Sequence, residues 1–173
     1  MTVMSSPAPL TRRQWLARAL GGAAAVALTG PDLLGAAAAT LAPPPPTLVT
    51  VHKDEGCACC EKWVTHMRAN GFRVVVHDEA DVDAVKDQLG VPRGVRSCHT
   101  ARVGGYLVEG HVPASDIRRL MSARAKVVGL AVPGMPVGTP GMEMARGAES
   151  YEVLSFDARG ATKVFARHQG KNQ

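Results

Sequence analysis

Residues 47–90 read TLVTVHKDEGCACCEKWVTHMRANGFRVVVHDEADVDAVKDQLG, and their changing hydrophobic period decides the fold. Thr47 to His52 is rich in β-branched residues and predicts a first strand. From Glu61 to Asn70 the period lengthens. Trp63, Val64 and Met67 stand at helical spacing, and Asn70-Gly71 makes a natural stop. Phe72 to His77 returns to strand chemistry, and Val82, Val85 and Leu89 space a second helix that ends at Gly90. Strand, helix, strand over this length is a βαβ unit, so the two strands are expected to run parallel.

Downstream, Pro92 and Gly94 mark a loop, and Thr100 to Val103 and Tyr106 to Glu109 flank Gly104-Gly105, a two-residue hairpin signal. Pro113 to Arg124 predicts a third helix with Ile117, Leu120 and Met121 on its apolar face. The order βαβ–α–ββα is that of an α/β domain of thioredoxin-like type. Gly129 to Gly147, full of Gly, Pro and Met, reads as one long loop. Tyr151 to Phe156 and Thr162 to Ala166 then form a C-terminal β-hairpin across Asp157-Ala158-Arg159-Gly160.

Upstream, Thr11 to Leu16 read T-R-R-Q-W-L, and Ala17 to Thr29 is rich in Ala, Leu, Gly and Val. Ala36 to Ala39 then offer a small-residue cleavage site, completing the pattern of an export signal. The adjacent Arg12-Arg13 pair is of the twin-arginine type. A membrane anchor is the alternative. The apolar run lasts only about a dozen residues before Gly30-Pro31-Asp32, short of the roughly 20 that a span needs. Residues 1–38 are therefore read as an export signal, 39–46 as a Pro-rich linker, and 47–168 as one domain. The expected location is the periplasm, with no membrane span once the signal is removed.

With 46% hydrophobic and 20% charged residues, the chain is neither disordered nor fibrous. Its +5 charge shrinks with the signal. Three of the 20 basic and one of the 15 acidic residues leave with it, so 17 face 14. Aromatics make up 4% of the chain and no basic run exceeds Arg118-Arg119, so nucleic-acid binding is not expected.

The chemistry gathers at Cys57-Ala58-Cys59-Cys60, which opens the first helix. Backbone N–H groups and the helix dipole favour thiolates there, so thiol pKa values are expected to fall. Cys57 and Cys60 have the spacing of a redox disulfide. Cys59 is an additional thiol that an ordinary dithiol oxidoreductase does not need. Three thiols within four residues suit a soft metal that thiolates can bridge. The fourth cysteine stands in Ser97-Cys98-His99-Thr100, which the expected topology returns toward the end of the first strand. His99 and His111 bring imidazole nitrogen to the same place, and His52 precedes the cluster by five residues. Met135, Met142 and Met144 lie in a Gly/Pro loop where no core spacing accounts for them, and thioethers are copper(I) ligands.

Other readings stay open. Four cysteines in an exported domain can form two structural disulfides, although a bridge between neighbours Cys59 and Cys60 would be strained. His66, His77 and His168 read as surface or hydrogen-bonded residues, and Met67 and Met121 as core. Asp78, Glu79, Asp81 and Asp83 read as charges at a helix N-terminus. Structural zinc prefers two separated pairs that close a tetrahedron, and iron–sulfur clusters prefer four spaced thiolates. Three clustered thiols, one distant thiol and a thioether loop fit copper better.

Four segments stand in order: C-A-C-C-E-K-W, V-P-x-x-x-R-S-C-H-T-A, G-Y-x-V-E-G-H-V-P-A-x-D-I and G-L-A-V-P-G-M-P-x-G-x-P-G-M-E. Together they resemble the periplasmic CopG-type copper-resistance family, long described as of unknown function, over about residues 47–168. The resemblance implies a thioredoxin-like fold, a copper-thiolate site of one or more ions, and a role in copper tolerance that includes interconverting copper(I) and copper(II). Carried over by motif, it implies ligation by Cys57, Cys59, Cys60 and Cys98. His111 and methionines among Met135, Met142 and Met144 assist, with His99 beside them. Gly56 and Ala58 depart from the family's residues around the first two cysteines, and neither is a ligand. Partners on this reading are copper ions and a periplasmic copper chaperone or electron-transfer protein. Turnover as a copper oxidoreductase and simple storage are both compatible with it. The rival is a thiol–disulfide oxidoreductase using Cys57 and Cys60, which has no need of Cys98 or the methionines.

Sequencing the exported protein from its N-terminus is expected to place cleavage near Ala37 to Ala39. A mature chain still carrying Arg12-Arg13 would overturn the export reading.

Overall fold

The computed structural model describes residues 45–145 and 147–170. The expected export signal at 1–38 and most of the linker at 39–46 lie outside them. Strand β1 (Leu48–Asp54) alternates strictly, burying Val49, Val51 and Lys53. Gly56, at φ +72°, turns the chain into helix α1 (Ala58–Ala69), which buries Trp63, Val64 and Met67 as their spacing predicts. Strand β2 (Arg73–Glu79) then runs parallel to β1, from Leu48↔Arg73 to Asp54↔Glu79.

Helix α2 (Val82–Leu89) is capped by Asp81, whose side chain accepts from the Ala84 N–H at 3.0 Å. It ends at Gly90 in the left-handed conformation, and a short 3₁₀ turn follows at Arg93–Val95. Strands β3 (His99–Val103) and β4 (Tyr106–Glu109) form the expected hairpin. Gly104 and Gly105 take φ +54° and +88°, the pair of positive values that a tight two-residue turn requires. Helix α3 (Ala114–Ala123) completes the βαβ–α–ββα order, with these four strands arranged β2-β1-β3-β4.

The region after α3 departs from expectation. Gly129–Ala131, read above as the start of a loop, is strand β5. It lies parallel to β4 and antiparallel to β6 (Tyr151–Phe156), which pairs in turn with β7 (Thr162–His168). Three residues are too few to display a period, so only the neighbours on either side define this strand. The result is one seven-stranded mixed sheet in the order β2-β1-β3-β4-β5-β6-β7. Asp78 and Glu79 also depart from their reading as helix charges. They belong to β2, where they pair with Lys53 at 2.5 Å and His52 at 2.7 Å.

Trp63, Val64 and Met67 of α1 pack with Ile117 and Leu120 of α3 against Val49, Val51, Ala101 and Val108 of the sheet. A smaller cluster joins Val91, Val95, Leu107, Ala131 and Phe156. Trp63 is fully buried and donates its Nε1–H to the Val112 carbonyl at 2.9 Å, which ties α1 to the approach of α3. Among the described residues no helix is long and apolar enough to cross a membrane.

Replacing Trp63 by Phe is expected to cost about 1–3 kcal/mol by leaving the buried Val112 carbonyl unpaired. Chemical denaturation measures this, and an unchanged midpoint would show that the bond contributes nothing.

Candidate metal centre

The first turn of α1 sets out three sulfurs. Cys57 is the cap residue, its carbonyl accepting from Glu61 N–H at 3.1 Å, so Cys59 and Cys60 fall within the opening turn. Cys57 and Cys60 are joined in a disulfide, while Cys59 and Cys98 are free thiols. The reading with two structural disulfides therefore does not hold. Cys59 Sγ lies 3.5 Å from Cys57 Sγ and 3.9 Å from Cys98 Sγ.

Pairing of β3 with β1 delivers the fourth sulfur. The antiparallel ladder ends at Lys53↔His99, so Cys98 sits at the end of β1, where the chain turns toward α1. Its Sγ is 3.3 Å from His99 Nδ1 and 3.1 Å from His111 Nε2. His111 Nδ1 lies 2.8 Å from the Pro140 carbonyl. A carbonyl can only accept, so Nδ1 carries the proton and Nε2 presents its lone pair to Cys98. The His99 ring rests against Trp63 at 4.5 Å and meets His111 edge-on at 5.0 Å.

Both imidazoles are fully buried. Burial holds His99 well below the usual histidine range, and the nearby charges of His111 and Lys86 add to the effect. Burial lowers His111 too, against the opposing pull of the Pro140 carbonyl and Glu143. Both rings are therefore held in the neutral form that binds metals. Burial and the neighbouring Cys59 sulfur push the Cys98 thiol up to about 12, so a metal would have to displace its proton. The expected fall in thiol pKa has no counterpart at Cys57 and Cys60, which are bonded to each other.

Two donor groups result among the described residues: Cys57, Cys59, Cys60 and Cys98, and Cys98, His99 and His111. Within each, the donor atoms all lie within 4.8 Å of one another, and Cys98 belongs to both. Soft sulfur with borderline nitrogen is a donor set that fits copper, with all four sulfurs available once the disulfide is reduced.

The methionine loop reaches this site through its backbone. Pro140 supplies the carbonyl to His111, and Gly141, at φ +90°, approaches α1 so closely that a Cβ would stand 2.8 Å from both Cys59 O and Trp63 N. Met142 follows it and is half-buried, whereas Met135 and Met144 are 52% and 47% exposed. The other histidines have roles elsewhere. His52 pairs with Glu79 and stacks on His77, His66 Nε2 accepts from Ala114 N–H, and His168 pairs with Asp116. Residue-level reasoning missed Lys86 and Glu109, a fully buried ion pair beside Ser97. For Glu109 a signal existed, as a lone carboxylate ending an otherwise apolar strand. For Lys86 there was none.

A family described as "Protein of unknown function, DUF411" matches residues 95–142, the span from the 3₁₀ turn through Cys98 and His111 to Met142. Two solved structures of copper resistance protein CopG are similar to the chain, each at 50% identity and a TM-score of 0.68. One, form 2, covers 71% of this chain and 98% of its own; the other, form 1, covers 72% and 99%. No curated protein matches.

Substituting Gly141 by Ala places a Cβ against two backbone atoms of α1 at a left-handed φ. The expected loss is on the order of 1–3 kcal/mol, read as a fall of several degrees in thermal midpoint. An unchanged midpoint would show that the loop is not seated on the helix.

Proposed function

The chain belongs to the CopG family of copper resistance proteins, and we propose that it is a periplasmic copper-binding protein. Cys57, Cys59, Cys60 and Cys98 would hold the metal, with His111 and His99 completing the donor set and Met142 the methionine best placed to assist. The observation that carries this reading is the convergence of both donor groups on Cys98. A site with one shared thiolate between a sulfur-rich half and a nitrogen-rich half is suited to more than one ion. Sulfur donors favour copper(I) and imidazole makes copper(II) accessible, so interconversion of the two states is part of the proposal.

The chain's own groups define what must happen for metal to enter. The Cys57–Cys60 disulfide accepts two electrons and two protons from a dithiol reductant, giving two thiols and oxidising the donor to its disulfide. The Cys98 proton must leave the site when the thiolate forms, since the lone pair of His111 Nε2, 3.1 Å away, is needed by the metal. Trp63 shields the His99 ring, and the Pro140 carbonyl holds His111 in one tautomer. A copper chaperone or electron-transfer partner in the periplasm belongs to the same proposal.

The second reading, a thiol–disulfide oxidoreductase, is favoured by the same Cys57–Cys60 bond at a helix N-terminus. It leaves Cys98, His99 and His111 without a task.

Thiol titration of the denatured protein is expected to find two free thiols before reduction and four after it. Anaerobic loading of the reduced protein with copper(I) is expected to retain several ions per chain and to make the thiols unreactive. Cys59→Ser should lower that loading, and full loading in this variant would sink the bridging-thiolate idea. Failure to retain copper, with reversible cycling of Cys57 and Cys60, would favour the oxidoreductase instead.

A further inference from the structure

Glu109 ends β4 with no exposed surface, and Lys86 of α2 is 1% exposed. Lys86 Nζ lies 3.2 Å from Glu109 Oε1, while Glu109 Oε2 has no hydrogen-bond partner among the described residues. Burying two charges is costly, and apolar replacements of similar volume are often no less stable. A carboxylate oxygen left unpaired in the interior adds to that cost. Fold stability alone therefore gives little reason for this pair.

What the two side chains share is one residue, Ser97. Glu109 Oε1 accepts from the Ser97 backbone N–H at 2.7 Å, and Lys86 Nζ donates to the Ser97 carbonyl at 2.5 Å. Both polar groups of Ser97's backbone are thus gripped by charges of opposite sign. Its side chain is held as well. The Ser97 hydroxyl donates to the Gly134 carbonyl of the methionine loop, and a Cβ on Gly110 would stand 2.6 Å from Ser97 Cβ. The next residue along the chain is Cys98.

Resting on the copper reading above, we propose that Lys86 and Glu109 are positioning residues for the metal centre. They fix the Ser97 backbone so that Cys98 Sγ and His99 Nδ1 stay aimed at the sulfurs of α1 and at His111. Neither contacts a metal donor directly, and both act through Ser97. Residues that orient ligands in this way typically contribute about 10–100-fold to metal affinity.

Two double variants isolate the effect, Lys86→Met/Glu109→Gln and Lys86→Met/Glu109→Leu. They carry the same charge and differ in whether residue 109 can accept from Ser97 N–H. Competition with a copper(I) chelator is expected to show the Leu variant weaker than wild type by about 10–100-fold, with the Gln variant binding more tightly than the Leu variant. The thiolate-to-copper(II) charge-transfer band should shift further in the Leu variant. In metal-free protein, alkylation of Cys98, followed by peptide mass analysis, should be faster in the Leu variant than in the Gln variant. Equal affinity, spectrum and alkylation rate in the two variants would overturn the proposal. If wild type retains no copper but the alkylation rates still separate, the positioning of Cys98 through Ser97 stands and the copper reading fails. Lys86→Met/Glu109→Met replaces the Leu variant if the latter does not fold.

Discussion

The site depends on one ladder, the antiparallel pairing of β3 with β1. Its last rung, Lys53↔His99, brings Cys98 to α1 across a sequence separation of 39 residues from Cys59. A slip of one residue would turn every side chain of β3 to the opposite face, taking His99 off Trp63. Register is set from two directions. Val49 and Val51 of β1 and Ala101 and Val103 of β3 are buried in one core, and the Gly104-Gly105 turn fixes where β3 gives way to β4. Closing so long a loop costs conformational entropy, which burial of that shared core offsets.

The same core sets the chemistry. Trp63 anchors α1 through Val112 and also forms one wall of the His99 environment, so the packing that holds the helix in place also excludes water from an imidazole. Desolvation then keeps both histidines neutral and Cys98 protonated. A site in this state binds no proton that metal need displace from nitrogen, and only sulfur must ionise. The protonation states follow from how deeply the start of β3 lies beneath α1 and the methionine loop.

Much of this was legible in the sequence. The strands and helices of residues 47–124 follow from β-branched composition, helical spacing and the Gly104-Gly105 turn signal. Once the βαβ unit is assigned, the approach of Cys98 to the C-x-C-C turn follows from topology. The same is true of His99, and the Gly-Gly hairpin carries His111 back to the same end of the sheet. Strand β5 was not legible, since Gly129–Ala131 is defined by its two neighbours and by nothing in its own three residues. The backbone contact made by the methionine loop was not legible either. Thioethers were the visible signal, yet the loop also reaches the site through the Pro140 carbonyl and the close approach of Gly141 to α1. Backbone groups carry no mark in a sequence. Nor does a buried lysine, whose identity implies solvent until a partner such as Glu109 is known.

Two buried lysines, Lys53 and Lys86, secure the two halves of the donor set. Lys53 bridges Asp78 of β2 at 2.5 Å and Glu61 at 2.9 Å, and Glu61 follows Cys60 in α1. Lys86 bridges Glu109 and the backbone just ahead of Cys98. Apolar contacts are poor at this task because they are non-directional. At the end of a sheet, where three of the four sulfurs are partly exposed, position has to come from directional bonds. The energy of the exposed part of these pairs is modest, since Asp78 and Glu61 are each 54% exposed. Their value lies in geometry: each lysine ties a segment carrying thiols to a strand that carries none. These segments are thereby held by the sheet itself, while Cys57, Cys59 and Cys98 remain partly exposed.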